Sequence, residues 1–260
     1  MLKNAQRLIR LVNKPSSLVI GIAVFVWSVT GAAQIPGNSD QLLLTVSDDW
    51  NATVGKLHIY KRVDGHWHQT LAPIPVNLGR TGLAWGIGLH PDSTGGEADP
   101  HKREGDGKAP AGIFRLGDAF GYPPELTTGL GYQPMRESHY CIDVPGSPFY
   151  NQTVDAEDVG ESAVEGSSEG MRRDIHYGDQ QYKKGIFVEH NPANVSGAGS
   201  CIFMHLWKAP GSPTAGCTAM DETQMDRVLA WLHEDKNPVY VALPAAKYRS
   251  LRASWGLPPL

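Results

Sequence analysis

The sequence predicts a mainly β fold with minor α content, a β-sandwich or open barrel carrying one helix just after Cys217. Three observations predict it. Short runs rich in Val, Ile, Leu and Tyr recur along a chain punctuated by 29 glycines and 19 prolines, the pattern of brief strands between turns. These runs do not alternate with helical segments, which argues against alternating βαβ units. A clear 3.6-residue period follows Asp221, where Met225, Val228, Leu229 and Leu232 recur.

Taken in order, Leu42 to Val46 is an apolar run and the first strand. Val54 to Val63 and His66 to Leu71 flank Asp64-Gly65, a strong hairpin signal because both turn residues tolerate positive φ. Ile74 to Leu78 and Leu83 to Leu89 are further strands separated by Gly79 and Gly82. Ile186 to Glu189, Cys201 to Leu206 and Val239 to Leu243 complete the set. The helix starts at Asp221, with Gln224 three residues on as a capping box. Asp92 to Lys108 and Thr153 to Arg173 are polar and read as loops; the second is a solvated insertion on one reading and a lid on another.

The N-terminus sets the expected compartment. Lys3, Arg7, Arg10 and Lys14 precede the apolar run Leu18 to Val29, and Thr30-Gly31-Ala32-Ala33 offers small residues for cleavage. This is the layout of a secretory signal peptide over residues 1–33, and the apolar run is short for a retained membrane span. The expected product is a single catalytic domain over 34–260, with 153–173 as its loop insertion. The first 33 residues hold those four basic side chains and no acidic one, so cleavage takes the formal charge from −4 to about −8. An acidic chain without a basic tract excludes nucleic acid as the expected partner.

Three cysteines, Cys141, Cys201 and Cys217, give an odd count in an oxidising compartment, which implies one pair and one thiol left over. Cys217 has the chemical context of the thiol, leaving Cys141 with Cys201 as the expected disulfide; three reduced, buried cysteines are the alternative.

That context is the stretch HLWKAPGSPTAGCTAM, His205 to Met220, in which Cys217 follows a glycine and lies twelve residues after His205. A thiol needs a base to take its proton, and backbone N–H groups to receive the charge that develops on the attacked carbonyl. His205 serves as general base, Gly216 supplies an oxyanion N–H, and Thr214 lines the pocket. A third group should orient the imidazole through its other nitrogen; no nearby Asp or Asn stands out, and a backbone carbonyl can fill the role. If His205 activates Cys217, the thiol pKa is expected below its free value of about 8.5. His90 is a further candidate for the cleft, and Arg115 and Lys108 for a substrate carboxylate. His66 and His68, two apart on one strand, are a weak metal pair, and neither a metal nor a cofactor is expected. His176, Tyr177 and His190 are ambiguous, and Trp207 reads as packing.

The motif resembles the catalytic motif of the YkuD-type L,D-transpeptidase family, in which an upstream histidine precedes Ser/Thr-His-Gly-Cys, a hydrophobic residue, and Asn or Arg. Thr214, Gly216, Cys217 and His205 match by position; Ala215 and Ala219 stand where the second histidine and the Asn or Arg usually are. The ending is similar to a divergent branch of that family. GLAWGIGLH, EGDGKAPAGIFRLGDAFGY and EHNPANVSGAGSCIFMHLW extend the resemblance over most of residues 42 to 243. It implies an L,D-transpeptidase-like β domain in the bacterial periplasm or cell wall, acting on peptidoglycan stem peptides. The thiolate attacks the carbonyl of the third stem residue, expels the terminal D-amino acid, and the thioester passes to an amine or to water.

Two rivals remain at this level. A hydrolase shares the acyl-enzyme, while a wall-binding module needs no nucleophile and would be indifferent to Cys217→Ala. A papain-like or NlpC/P60-like peptidase is disfavoured, because there the histidine follows the cysteine.

Overall fold

The computed structural model describes residues 34–260; the expected leader over 1–33 lies outside them. The chain is mainly β, built from β1 (Gln41–Ser47), β2 (Val54–Val63), β3 (His66–Asn77), β4 (Leu83–Trp85) and β5 (Ala109–Gly121). Then come β6 (Tyr132–Pro134), β7 (His139–Cys141), β8 (Thr153–Asp155), β9 (Glu169–Gly170) and β10 (Lys184–Val188). The last strands are β11 (Phe203–Leu206), β12 (Thr218–Met220) and β13 (Val239–Pro244).

Eight of these strands close on themselves in the order β10-β11-β12-β3-β2-β1-β13-β5, with β5 pairing back to β10. The expected sandwich or open barrel is therefore a closed one. Closure comes from the length of β5: Gly112 to Arg115 pair with β13, and Leu116 to Gly121 pair with β10. One 13-residue strand thus joins both edges and removes them. β1 runs parallel to β13, and β11 parallel to β12. The hairpin of β2 and β3 turns at Asp64 and Gly65, with φ of 50° and 78°, as its sequence predicts.

Leu42, Leu43 and Leu44 are all fully buried. A strand covered on both faces explains why this segment reads as an unbroken apolar run. Val76, Ile113, Met204, Met220 and Val241 belong to the same core. Helix α4 (Glu222–Trp231) covers part of it with Met225, Val228 and Leu229, and the Asp221 side chain caps it by accepting the Thr223 N–H at 2.9 Å. Where one helix is expected, five occur among the described residues. The longest, α5 (Ala245–Trp255), buries Tyr248 and Trp255.

Between β6 and β10 the chain leaves the barrel. Strands β7, β8 and β9 form a separate sheet in the order β8-β7-β9, accompanied by α1 (Ala156–Val159), α2 (Glu161–Val164) and α3 (Arg173–His176). Residues 153–173 are therefore structured rather than a bare loop. Ile142, Ala156 and Val164 give this unit a small core of its own. The Cys141–Cys201 disulfide ties it covalently to the barrel, joining β7 to the residue two before β11, with Cα atoms 5.9 Å apart.

Candidate active site

Strand pleating places the two principal residues. In the parallel pair β11–β12, His205 faces Ala219 and Met204 faces Thr218. Met204, Leu206 and Met220 point into the barrel core, so Phe203, His205, Cys217 and Ala219 project from the opposite face of the wall. Phe203 and Cys217 belong there to a second cluster with Phe120, Met135, Met171, Tyr182 and the disulfide. The Cys217 thiol, one residue before β12, and the His205 imidazole on β11 thus share one face.

The loop that returns from β11 to β12 is held by residues far away in sequence. Asn77 donates from Nδ2 to the carbonyls of Ala209 at 2.8 Å and Ser212 at 2.9 Å, and its Oδ1 accepts the Gly211 N–H at 2.9 Å. Thr214 N–H donates to the Leu78 carbonyl at 2.9 Å, and the Thr214 carbonyl accepts Arg80 N–H at 2.8 Å. The Thr214 hydroxyl accepts the Gly216 N–H at 3.1 Å and donates to the Cys217 carbonyl at 2.6 Å. Thr214 therefore shapes the turn instead of lining the pocket. The Gly216 N–H is already used by it, which corrects the oxyanion role expected for that group.

The thiol is enclosed. Its sulfur accepts the Phe203 N–H at 3.3 Å and donates to the Cys201 carbonyl at 3.5 Å. Burial, with Glu169 as the next cause, pushes the Cys217 pKa up to about 12. His205 is 4 % exposed. Its Nδ1 donates to the Leu206 carbonyl at 2.8 Å, so the orienting group is a backbone carbonyl and Nε2 is the unprotonated nitrogen. Burial pushes the His205 pKa down to about 4. No hydrogen bond joins the two side chains. Both are neutral at rest, and the expected low-pKa thiolate is replaced by a neutral thiol and a neutral base.

A cavity of about 200 Å³ reaches Cys217, Gly216 and Ile202 from the barrel side and Asp143, Ser168 and Glu169 from the small sheet. Ser168 and Glu169, from the excursion carrying residues 153–173, thus form one wall of this cavity. Glu169 accepts the Tyr182 hydroxyl at 2.6 Å, and burial raises its pKa to about 7. Lys102 and Glu104 line the same cavity; Lys102 pairs with Asp106 at 2.7 Å, and Glu104 accepts the Ser200 hydroxyl at 2.6 Å. Sequence reasoning passed over Glu169 as one of several acidic residues in a polar stretch. For Lys102 and Glu104 the signal available was KREGDGKAPAG, which places both close to Asp106. Asn151 was also missed as a structural residue: its Oδ1 accepts the Cys201 N–H at 2.9 Å, holding that cysteine at a left-handed φ of 55°.

The remaining candidates lie elsewhere. His90 packs among Trp85, Phe114 and Trp255; its Nε2 donates to the Gly86 carbonyl at 3.0 Å and its Nδ1 accepts the Ile113 N–H at 3.1 Å. With both nitrogens used by backbone it is a core histidine, not a substrate ligand. Arg115 is exposed on β5 beside Pro36, Asn38 and Glu234, away from the thiol. Lys108 donates to the Thr81 carbonyl. His190 is spent on Ala198 and Ile87, and His176 on the Glu137 carbonyl. No group of three or more His, Cys, Asp or Glu suited to a metal ion occurs among the described residues. No helix among them is long and apolar enough to cross a membrane.

No protein-family model matches the chain, and no curated protein matches it. Similar solved structures include Bd1075 of Bdellovibrio bacteriovorus, with a TM-score of 0.38 and 12% identity, covering 82% of this chain and 51% of that one. The helical cell shape determining protein Pgp2 of Campylobacter jejuni has a TM-score of 0.36 and 15% identity over 82% of this chain and 51% of its own. A variant of Pgp2 gives 0.38, 15%, 82% and 50%. This chain spans about half the length of the solved structures it matches.

Proposed function

We propose that the chain is an exported cysteine acyltransferase of the YkuD-type L,D-transpeptidase class, acting on peptidoglycan stem peptides in the periplasm or cell wall after loss of residues 1–33. The observation that carries this reading is the placement of His205 in β11 and Cys217 just before the neighbouring parallel strand β12, on one face of the wall, with Cys217 at a cavity and His205 Nδ1 pinned so that Nε2 is free to accept a proton.

The neutral resting pair favours general-base attack over a preformed ion pair. His205 Nε2 takes the thiol proton as the sulfur adds to the peptide carbonyl, and the Phe203 N–H, already aimed at the sulfur, steadies the charge that grows there. Collapse of the tetrahedral adduct breaks the C–N bond; His205 returns the proton to the departing amine and a Cys217 thioester remains. An incoming amine then adds to the thioester, His205 takes its proton, and the sulfur leaves with that proton to restore the thiol. The same thioester can pass to an amine or to water, and the amine outcome is the one proposed.

The test is incubation of the exported protein and its Cys217→Ala variant with tetrapeptide muropeptides, with and without a D-amino acid, read by mass spectrometry. Exchange or dimer formation, absent in the variant, is the expected result. Tripeptide alone would make the protein a carboxypeptidase, and unaltered turnover by the variant would remove Cys217 from the reaction.

A further inference from the structure

A second, larger concavity of about 590 Å³ lies along the same wall, sharing Cys141, Cys201, Ile202 and Phe203 with the surroundings of the thiol. Its chemistry differs from that of the charged cavity. Glu189 is the one charged side chain among its lining residues; the others that matter are three amides, Gln133, Gln152 and Asn194, and the ring of Phe187.

Each amide is held at one end. The Asn194 Oδ1 accepts from Asn151 Nδ2 at 3.2 Å, which leaves the Asn194 Nδ2 group as a donor. Gln133 Nε2 donates to Asp118 at 2.8 Å, and Gln152 Nε2 to the Pro148 carbonyl at 3.3 Å, which leaves their Oε1 atoms as acceptors. These hydrogen bonds set the orientation each amide presents to a ligand. Phe187 sits where the pairing of β10 with β5 shifts register between Ile186 and Val188, the kind of irregularity that re-aims a side chain. Opposite it stands Gly117, at which an added Cβ would come within 3.4 Å of the Phe187 Cβ. The ring remains half-buried, backed by Phe120 and Phe203 at 4.9 and 5.4 Å.

We propose that this groove binds an N-acetylated hexosamine oligosaccharide, with Phe187 beneath a pyranose ring and Asn194, Gln133 and Gln152 on the acetamido groups. An acetamido group presents one carbonyl acceptor and one N–H donor, which the free ends of these amides complement. The aromatic ring suits the C–H face of a sugar, and the volume falls in the ordinary range of ligand sites. Glu189 disfavours an anionic ligand. The inference deepens the function proposed above, because the glycan would be the strand that bears the peptide substrate. A peptide-free oligosaccharide nevertheless tests it independently of turnover.

The experiment is titration of the exported protein, with the Cys141–Cys201 disulfide intact, with the tetramer of N-acetylglucosamine, its fully deacetylated counterpart and maltotetraose, followed by calorimetry and NMR. Saturable binding of the acetylated tetramer, at least tenfold tighter than of either control, is expected. Glu189 would favour the cationic deacetylated sugar on charge alone, so the preference reads the amides. Phe187→Ala should weaken binding at least tenfold. Asn194→Asp, which keeps the oxygen held by Asn151 and removes the donor, should weaken it about fivefold with the melting temperature unchanged. Absence of saturable binding at millimolar sugar, equal affinity for acetylated and deacetylated tetramers, or indifference to both substitutions would overturn the proposal, whatever the muropeptide assay shows.

Discussion

The ring of Tyr182 stands edge-on to His205, with centroids 5.1 Å apart and planes at 70°. At its other end the Tyr182 hydroxyl donates to Glu169, while Arg173 lies 5.1 Å over the ring. One buried side chain therefore positions the imidazole and the carboxyl that faces the thiol. Tyr182→Phe keeps the ring and removes the donor. It should cost about 1–3 kcal/mol by leaving Glu169 short of a partner, and raise the Glu169 pKa further, since that hydrogen bond lowers it. Tyr182→Ala should cost about 3–5 kcal/mol and lower acyl transfer as well. Urea denaturation and the muropeptide assay on both variants separate the two contributions.

Cys217 should titrate late. Its pKa is raised to about 12 by burial and Glu169, so the rate of iodoacetamide labelling is expected to climb through pH 9 and 10 without a plateau near neutrality. A plateau below pH 8 would restore the ion-pair description. Glu169→Gln removes the second of those causes and should shift the labelling profile to lower pH.

Stability should fall in acid through buried histidines. His205 and His190 both have pKa values lowered to about 4 by burial, so the unfolded chain binds more protons between that value and about 6.5. Their contribution is present above pH 6.5 and lost as pH falls toward 4, roughly 2–4 kcal/mol for each. The midpoint of urea unfolding from pH 7.5 to 4.5 measures it, and His205→Gln should flatten its share of the slope.

The loop before Cys217 depends on Asn77. Replacing it with alanine frees two carbonyls and one N–H, at about 2–3 kcal/mol. Faster labelling of Cys217 at fixed pH should accompany the loss. Unchanged labelling would show that the loop holds its shape without that anchor.

The disulfide should matter most for the small sheet. Cys141 and Cys201 are 60 residues apart, a loop whose closure contributes about 4 kcal/mol on the chain-entropy account. The double serine variant should lose stability on that scale and admit limited proteolysis first within residues 142–183, which peptide mapping would locate.

The sequence exposed the first barrel strands clearly because Leu42 to Val46 and the Asp64-Gly65 hairpin carry unambiguous local signals. It concealed β5, the strand that closes the barrel, because Pro110, Gly112, Gly117 and Gly121 interrupt its apolar pattern. Gly112 has a tertiary cause: an added Cβ would lie 2.0 Å from His90. His90 itself drew attention as a cleft residue, since sequence does not reveal that both ring nitrogens meet backbone. Helix α5 carried a legible signal in the spacing of Tyr248, Leu251 and Trp255, but it starts directly at Pro244 without a side-chain cap. At the site, the sequence pointed to Cys217 and His205, which the structure places on one face of the wall. The sign of the thiol shift was not legible, because it depends on burial beneath a sheet drawn from residues 139–170.

The central claim is that Cys217 forms a thioester with a stem-peptide carbonyl. The most direct measurement is the intact mass of the exported protein, quenched in acid during turnover of tetrapeptide muropeptides, with peptide mapping of the adduct. The account predicts an acyl adduct equal to the donor minus its terminal D-amino acid, confined to the peptide containing Cys217, labile to hydroxylamine, and absent from Cys217→Ala. Turnover with no adduct on wild type, or with an undiminished rate in Cys217→Ala protein of unchanged melting temperature, would contradict it.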